Sequence, residues 1–95
     1  MATFVSTLKF TEQGLAEIQD TCKRAKKFRK SADKLGAQVR DILWTNGPFD
    51  GLIVFDAPDD ETAAAAMVKL MAKGAVRTHT LRAFTVDDMK KILAS

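Results

Sequence analysis

The pattern of apolar and polar positions divides the first part of the chain into a strand and a long helix. Residues 3–10, TFVSTLKF, are rich in β-branched and aromatic side chains and predict a strand. After Thr11, apolar residues recur at steps of three and four, which is typical of one face of a helix ending at Gly36. That face comprises Leu15, Ile18, Cys22, Ala25, Phe28, Ala32 and Leu35. We expect a bend near Asp20-Thr21, because both side chains compete for backbone hydrogen bonds.

The middle of the chain predicts two strands joined by a tight turn. Residues 37–45 mix polar and apolar side chains, as an edge strand does. Residues 50–56, DGLIVFD, contain an unbroken apolar run that indicates a strand buried on both faces. Asn46-Gly47 is a turn signal, and Pro48 fits beside it because proline has no backbone donor for a ladder.

The last third of the chain predicts a helix, a strand and a short final helix. The acids at 59–61 follow Pro58 and suit the positive end of a helix, which is rich in alanine and runs to about Met71. We assign these acids to the helix start, since a Ca²⁺ or Mg²⁺ site needs more oxygen ligands. Residues 75–84, AVRTHTLRAF, predict the fourth strand, and Thr85 caps the final helix.

This order of elements predicts a single α+β domain over residues 1–95. The fold is a ferredoxin-like β-α-β-β-α-β sandwich with a short C-terminal helix and a sheet order of 4-1-3-2, both long helices lying on one face. Leu52 and Val54 would then face one side of the sheet, and Ile53 and Phe55 the other. No segment remains to cover the second apolar face. We therefore predict a homodimer or a higher homo-oligomer through that face.

Composition and charge narrow the class of protein. The 95 residues are 46% hydrophobic and 28% charged, as in a globular domain, and the net charge of +3 is only mildly basic. Cys22 is the only cysteine; its place on the apolar helix face predicts a buried, inert thiol, and a single cysteine fits a reducing compartment. No signal peptide is evident, and no apolar stretch approaches the roughly 20 residues of a membrane span. We expect a soluble cytoplasmic protein with no membrane partner.

Few side chains suit catalysis or ligand binding. His79, the only histidine, shares a strand face with Arg77. Facing a pocket, this pair suits an anionic or phenolic ligand or a proton transfer; otherwise His79 is an ordinary edge or interface residue. Trp44 suits a pocket wall or an interface anchor. Arg24 and Arg29 border the apolar face of the first helix, where Arg29 either snorkels or pairs with an acid across an interface.

The segment Gly47-Pro48-Phe49-Asp50 has a structural and a functional interpretation. In the structural one, Gly47 supplies an unusual φ, Phe49 packs one side of the sheet end, and Asp50 hydrogen-bonds a turn amide or pairs with a base such as Arg40. In the functional one, Phe49 and Asp50 line the mouth of a pocket at the sheet edge.

Metal, cofactor and nucleic-acid binding have little support in the sequence. One histidine and one cysteine cannot build a zinc site, and no phosphate-loop, dinucleotide or nucleophile-elbow motif occurs. The lysines on the outer face of the first helix form a solvated stripe, since the central strands lack the exposed aromatics on which RNA bases stack. We predict no metal, no cofactor and no nucleic-acid partner.

Several short motifs follow one another in a fixed order over nearly the whole chain: Gly14, Arg24, Gly36, Gly47-Pro48-Phe49-Asp50, Ala57-Pro58-Asp59-Asp60, Gly74-Ala75-Val76-Arg77-Thr78 and Leu81-Arg82-Ala83-Phe84. In these motifs the chain resembles the GYD domain proteins, small bacterial α/β proteins grouped with the dimeric α+β barrels. Gly47-Pro48-Phe49-Asp50 corresponds to their Gly-Tyr-Asp signature, with Phe49 in place of tyrosine. The resemblance implies a barrel-like dimer but no agreed activity.

Two classes of function remain open. The first is a homo-oligomeric assembly or small-ligand-binding module with a pocket between helices and sheet. The second is a cofactor-independent enzyme, monooxygenase- or isomerase-like, acting on a small aromatic or anionic substrate through His79, Arg77, Trp44 and Asp50. The enzyme requires an enclosed cavity that His79 reaches.

Overall fold

The computed structural model describes residues 1–95 and has the predicted ferredoxin-like topology. The elements are β1 (Ala2–Phe10), α1 (Glu12–Ala16), a 3₁₀ turn (Ile18–Asp20), α2 (Thr21–Leu35), β2 (Gln38–Trp44), β3 (Gly51–Ala57), α3 (Asp60–Ala72), β4 (Val76–Ala83) and α4 (Val86–Ala94). The strands form one antiparallel sheet in the order β2-β3-β1-β4, which confirms the predicted order. Within one chain the sheet is open and does not close into a barrel.

The core lies between the sheet and the helices α2 and α3. Phe4 on β1 stacks on Phe55 on β3, with ring centroids 5.4 Å apart. The helices contribute small or compact side chains to the same core: Phe28 and Ala32 from α2, and Ala63, Ala66 and Met67 from α3. The alanines let α3 lie close to the sheet, as its composition predicted.

The first helix is broken where the sequence predicted a bend. The 3₁₀ turn separates α1 from α2 just before Thr21, and Gly36 ends α2 in the left-handed region with a φ of 90°. The break changes the rotational phase of the helical face, so the prediction of one continuous apolar face was wrong. Leu15, Ile18 and Cys22 are exposed, and Cys22 is not the buried thiol that was expected. C-terminal to the break, the inner face of α2 carries Phe28 and Ala32, and Cys22 in the first turn of α2 lies outside that face.

The connection between β2 and β3 is wider than the predicted two-residue turn. It spans residues 45–50 and is closed by a backbone hydrogen bond of 3.0 Å from Thr45 N–H to the Asp50 carbonyl. Gly47 has a φ of 138°, which confirms the need for glycine there. The predicted pairing of Arg40 with Asp50 was wrong. Arg40 lies at the bulge of β2 and pairs instead with Asp56, Nε to Oδ2 at 2.8 Å.

The helix α4 begins as predicted but has no buried residue. Thr85 and Asp88 form a reciprocal capping box at its start. The apolar residues Val86, Met89, Ile92 and Leu93 are exposed. The molecule is elongated, 49 Å by 30 Å by 17 Å, with a radius of gyration of 14.0 Å. None of its helices has both the length and the hydropathy needed to cross a membrane.

Candidate functional site

The helix side of the sheet contains a cavity of about 630 Å³ between α2, α3 and the strands. Its walls are mainly apolar, and Phe28, Ile42, Ile53 and Leu70 are among the side chains that form them. The volume falls in the usual range for small-molecule sites, about 300–1,000 Å³. A pocket between helices and sheet belongs to the first of the two functional hypotheses drawn from the sequence.

The charged side chains around this cavity are mostly cationic. Four cations contribute to its lining, namely Arg24, Lys27, Lys69 and Lys73, and Asp50 is the one carboxylate. A smaller groove of about 270 Å³ adjoins it on the outer surface, lined by Lys27, Lys30, Ser31, Lys34 and Lys69. Because Lys27, Ser31 and Lys69 line both, the apolar cavity opens toward a group of lysines.

Two side chains fix the wall of the cavity nearest the start of α2. The indole Nε1 of Trp44 donates a hydrogen bond of 3.0 Å to the Thr21 hydroxyl. The guanidinium of Arg24 donates to the Glu17 carbonyl at 2.8 Å and to the Gly14 carbonyl at 3.4 Å. Arg24 therefore ties α2 to the end of α1, although the Glu17 carbonyl also accepts from the Asp20 N–H at 2.9 Å. Both residues were predicted as candidates, and both line the cavity.

Asp50 also lines the cavity, but its hydrogen bonds are structural. Its Oδ2 accepts from the backbone N–H of Phe10 at 2.9 Å, and its own N–H donates to the Leu8 carbonyl at 2.7 Å. Phe49 is half-buried and lies outside the cavity lining; its carbonyl accepts from the Thr45 hydroxyl at 2.7 Å. The Phe-Asp pair thus holds the strand ends together, and only Asp50 reaches the cavity.

The other side of the sheet is uncovered and largely apolar at its centre. The strand register places Val54, Val5 and Leu81 in one row across three strands, with Leu43 and Leu52 in the next row. Leu43 and Leu81 are exposed, at 52% and 60%, although each lies on a strand. By contrast Ile53 and Phe55 are buried under the helices. The predicted division of β3 into two apolar faces is confirmed.

Polar and charged groups lie at the margins of this open face. Arg77 and His79 are exposed on the edge strand β4, and Arg40 and Asp41 are exposed on the opposite edge strand β2. Near one end, Asp56 accepts from the Thr3 hydroxyl at 2.8 Å while it pairs with Arg40. The apolar centre of the open face is therefore bordered by polar and charged side chains on both edge strands.

The structure does not bring the four residues of the enzyme hypothesis together. Register pairs His79 with Thr7 on the open face, and Arg77 with Lys9 on the same face. Trp44 and Asp50 line the cavity on the helix side, and His79 is not part of that lining. The sheet itself separates the two pairs. Arg29 lies outside the cavity and donates to the Val39 carbonyl at 3.2 Å.

Two carboxylates that cap helices have lowered pKa values. Hydrogen bonding from the hydroxyl and the N–H of Thr62 lowers the pKa of Asp59, the N-cap of α3. Hydrogen bonding from the Thr85 N–H lowers the pKa of Asp88 in the α4 capping box. Both groups act at helix starts, as the sequence indicated for Asp59. The histidine, cysteine and carboxylate side chains form no group of three that could hold a metal ion.

The sequence did not identify Lys69 and Lys73 as cavity residues. Both follow the alanine-rich part of the second predicted helix, and Lys27 was assigned to a solvated stripe. The sequence contained one indication that these lysines could line a cavity. Lys69 and Lys73 lie at the C-terminal end of α3, and α2 and α3 cover the same face of the sheet. Their approach to Lys27 depends on the crossing of two helices, which periodicity within one helix does not give.

Two comparisons relate the chain to known proteins. The family model for the GYD domain matches residues 4–93. A Thermus thermophilus protein, named glutamine synthetase and cystathionine beta-lyase binding protein, is 31% identical over 90 residues. That match covers 94% of this chain and 95% of the relative.

Proposed function

This chain belongs to the GYD domain family, and we propose on that premise that it is a protein-assembly module that pairs with a second copy of itself through the open face of its sheet. The uncovered apolar row across β1, β3 and β4 is the observation that carries the proposal. Burying such a row stabilises an assembly by roughly 25 cal/mol for each Å² of apolar surface removed from water. The predicted dimeric barrel would consist of two such sheets packed face to face.

A second copy is the occupant that the apolar row of this face favours. Val54, Val5 and Leu81 form that row across three strands, and an identical sheet presents the same row in return. A two-fold contact of this kind is self-complementary, so each copy would bury the other's apolar surface.

Binding of other proteins is the wider function that we assign to this assembly. The Thermus relative carries the name of a binding protein for two enzymes, and its similarity extends over nearly the full length of both chains. The apolar side chains of α4, Met89 and Ile92 among them, are exposed in the single chain and offer a second surface for such contacts. An assembly function also requires no reacting group, and the four residues of the enzyme hypothesis lie on opposite sides of the sheet.

We place this module in the bacterial cytoplasm. The Thermus relative supports a bacterial setting. The single, exposed Cys22 supports a reducing compartment, where a lone surface thiol does not become cross-linked. Detection of the native protein by cell fractionation tests the placement directly, and its recovery from an oxidising compartment would contradict it.

The oligomeric state of matched variants tests the proposed pairing. The test variant is Leu81→Lys, and the control is Val68→Lys on the outer side of α3; both native side chains are 60% exposed. Sedimentation equilibrium should give twice the 10.4 kDa chain mass for the native protein and the control, and a shift toward 10.4 kDa for Leu81→Lys. A native protein that stays monomeric over about a hundredfold range of concentration overturns the proposal.

A further inference from the structure

We propose that the cavity between α2, α3 and the sheet binds an organic anion with an apolar body. The site lies on the helix side of the sheet, away from the open face, so the inference goes beyond the proposed assembly and does not depend on it. The apolar body would occupy the cavity, and the acidic group would lie among the lysines at its mouth.

The apolar part of the site is set by the shape and chemistry of its walls. Phe28 and Leu70 extend from the two helices, and Ile42 and Ile53 from two neighbouring strands. Trp44 also lines the cavity, and because its indole N–H already donates to Thr21, the ring requires no hydrogen-bond partner from a ligand. At about 630 Å³ the cavity has room for a body of one to two aromatic rings or an equivalent aliphatic chain.

The charge of the lining selects an anion. Of five charged residues, four are cations, and the one carboxylate, Asp50, accepts a backbone hydrogen bond from Phe10. Lys27 and Lys69 line both the cavity and the adjoining lysine groove, so they mark where an acidic group would leave the apolar space. A carboxylate, sulfonate or phosphate placed there would accept hydrogen bonds from lysine ammonium groups. A neutral or cationic molecule would gain nothing from these groups.

A pair of probes that differ by one charge tests the inference. The anionic probe is 8-anilinonaphthalene-1-sulfonate, and the neutral probe is N-phenyl-1-naphthylamine, which has the same aromatic body without the sulfonate. Trp44 is the only tryptophan, so energy transfer from tryptophan to either probe reports proximity to the cavity. We expect saturable transfer to the sulfonate probe with one site per chain. No saturable transfer to the sulfonate probe would overturn the proposal.

Charge and volume variants then identify the site. The double variant Lys27→Gln/Lys69→Gln should weaken binding of the sulfonate probe about fivefold and leave the affinity for the neutral probe unchanged. The control Lys23→Gln/Lys26→Gln removes two exposed lysines of α2 that do not line the cavity. It should leave the affinity for both probes unchanged. The assignment would be overturned if the test variant lost affinity equally for both probes, or if the test and control variants lost affinity equally.

Filling the cavity provides a separate test of location. Ala25 lies on the cavity wall of α2, and Ala25→Phe should abolish transfer to both probes. Circular dichroism and urea unfolding would establish whether the variant is folded. If Ala25→Phe does not fold, Ile42→Phe on the opposite wall replaces it in the test. Transfer at native affinity in a folded, filled variant would show that the probe binds elsewhere, which contradicts the proposal.

Discussion

The carboxylate of Asp50 accepts a hydrogen bond from the backbone N–H of Phe10 at 2.9 Å, and so joins the loop before β3 to the last residue of β1. The two residues are 40 positions apart in the chain. The bond gives Gly-Pro-Phe-Asp a structural role: the loop projects an acceptor toward an N–H at the end of a neighbouring strand. The position of this aspartate is thus explained without a catalytic function.

Removing that acceptor should destabilise the fold. Asp50→Ala leaves the Phe10 N–H without its partner, and we expect a loss of about 1–3 kcal/mol in the free energy of unfolding. Asp50→Asn keeps a side-chain oxygen in place and should lose less than half as much. Urea unfolding of both variants measures the difference. Equal losses would show that the charge of Asp50, rather than its oxygen as an acceptor, is what matters.

Gly14 should not tolerate a methyl group, against the usual preference of helices. A Cβ at Gly14 would lie 2.1 Å from the carbonyl oxygen of Ala75, a backbone atom held by the Thr11 N–H at 3.0 Å. We expect Gly14→Ala to lower the free energy of unfolding by about 1–3 kcal/mol, although alanine normally stabilises a helix relative to glycine.

Ala16→Gly in the same helix is the control for this prediction. Ala16 is exposed, so its replacement should cost only the helix propensity, about 0.5–1 kcal/mol. Thermal and urea unfolding of the two variants measure both effects. A stabilised Gly14→Ala protein would show that α1 moves away from Ala75 without loss.

The N-cap of α3 should make stability fall in acid. The pKa of Asp59 is lowered in the folded protein from 3.8, so its contribution is complete above pH 3.8 and is lost as the pH falls through the lower folded value. Asp59→Asn keeps a capping side chain without a titrating group. Unfolding measured from about pH 5 to about pH 2 should show a steeper loss for the native protein than for Asp59→Asn. Parallel pH profiles would contradict the role of this carboxylate.

The sequence predicted the fold because local patterns and topology agreed. The apolar run of β3, the loop at Gly47 and the helix signals at Gly36 and Thr85 each specify an element, and a right-handed crossover then fixes the sheet order. The bend before Thr21 was also predictable. Its consequence was not: the 3₁₀ turn separates α1 from α2, so Leu15 and Ile18 do not continue the buried face of α2. Cys22, in the first turn of α2, is exposed as well.

The candidate site was predicted only in part, because it is built from pairs of elements. Trp44, Arg24 and Asp50 were identified singly, and each lines the cavity. The lysines at its mouth come from two helices whose crossing no sequence pattern specifies. The partner of Arg40 was missed for a similar reason: the bulge in β2 places it beside Asp56 rather than at the loop.

The alternation of the two faces along β3 constrains how this sequence can evolve. Ile53 lines the cavity, while its neighbours Leu52 and Val54 lie on the uncovered side, so a single peptide bond separates the two environments. A one-residue insertion or deletion that shifted the register of β3 against β1 would exchange the residues of its two faces. It would damage the cavity and the uncovered side of the sheet at once. Insertions and deletions should therefore be tolerated in the exposed residues 46–48 only where they keep the strand register. We expect related sequences to differ in this loop mainly by substitution.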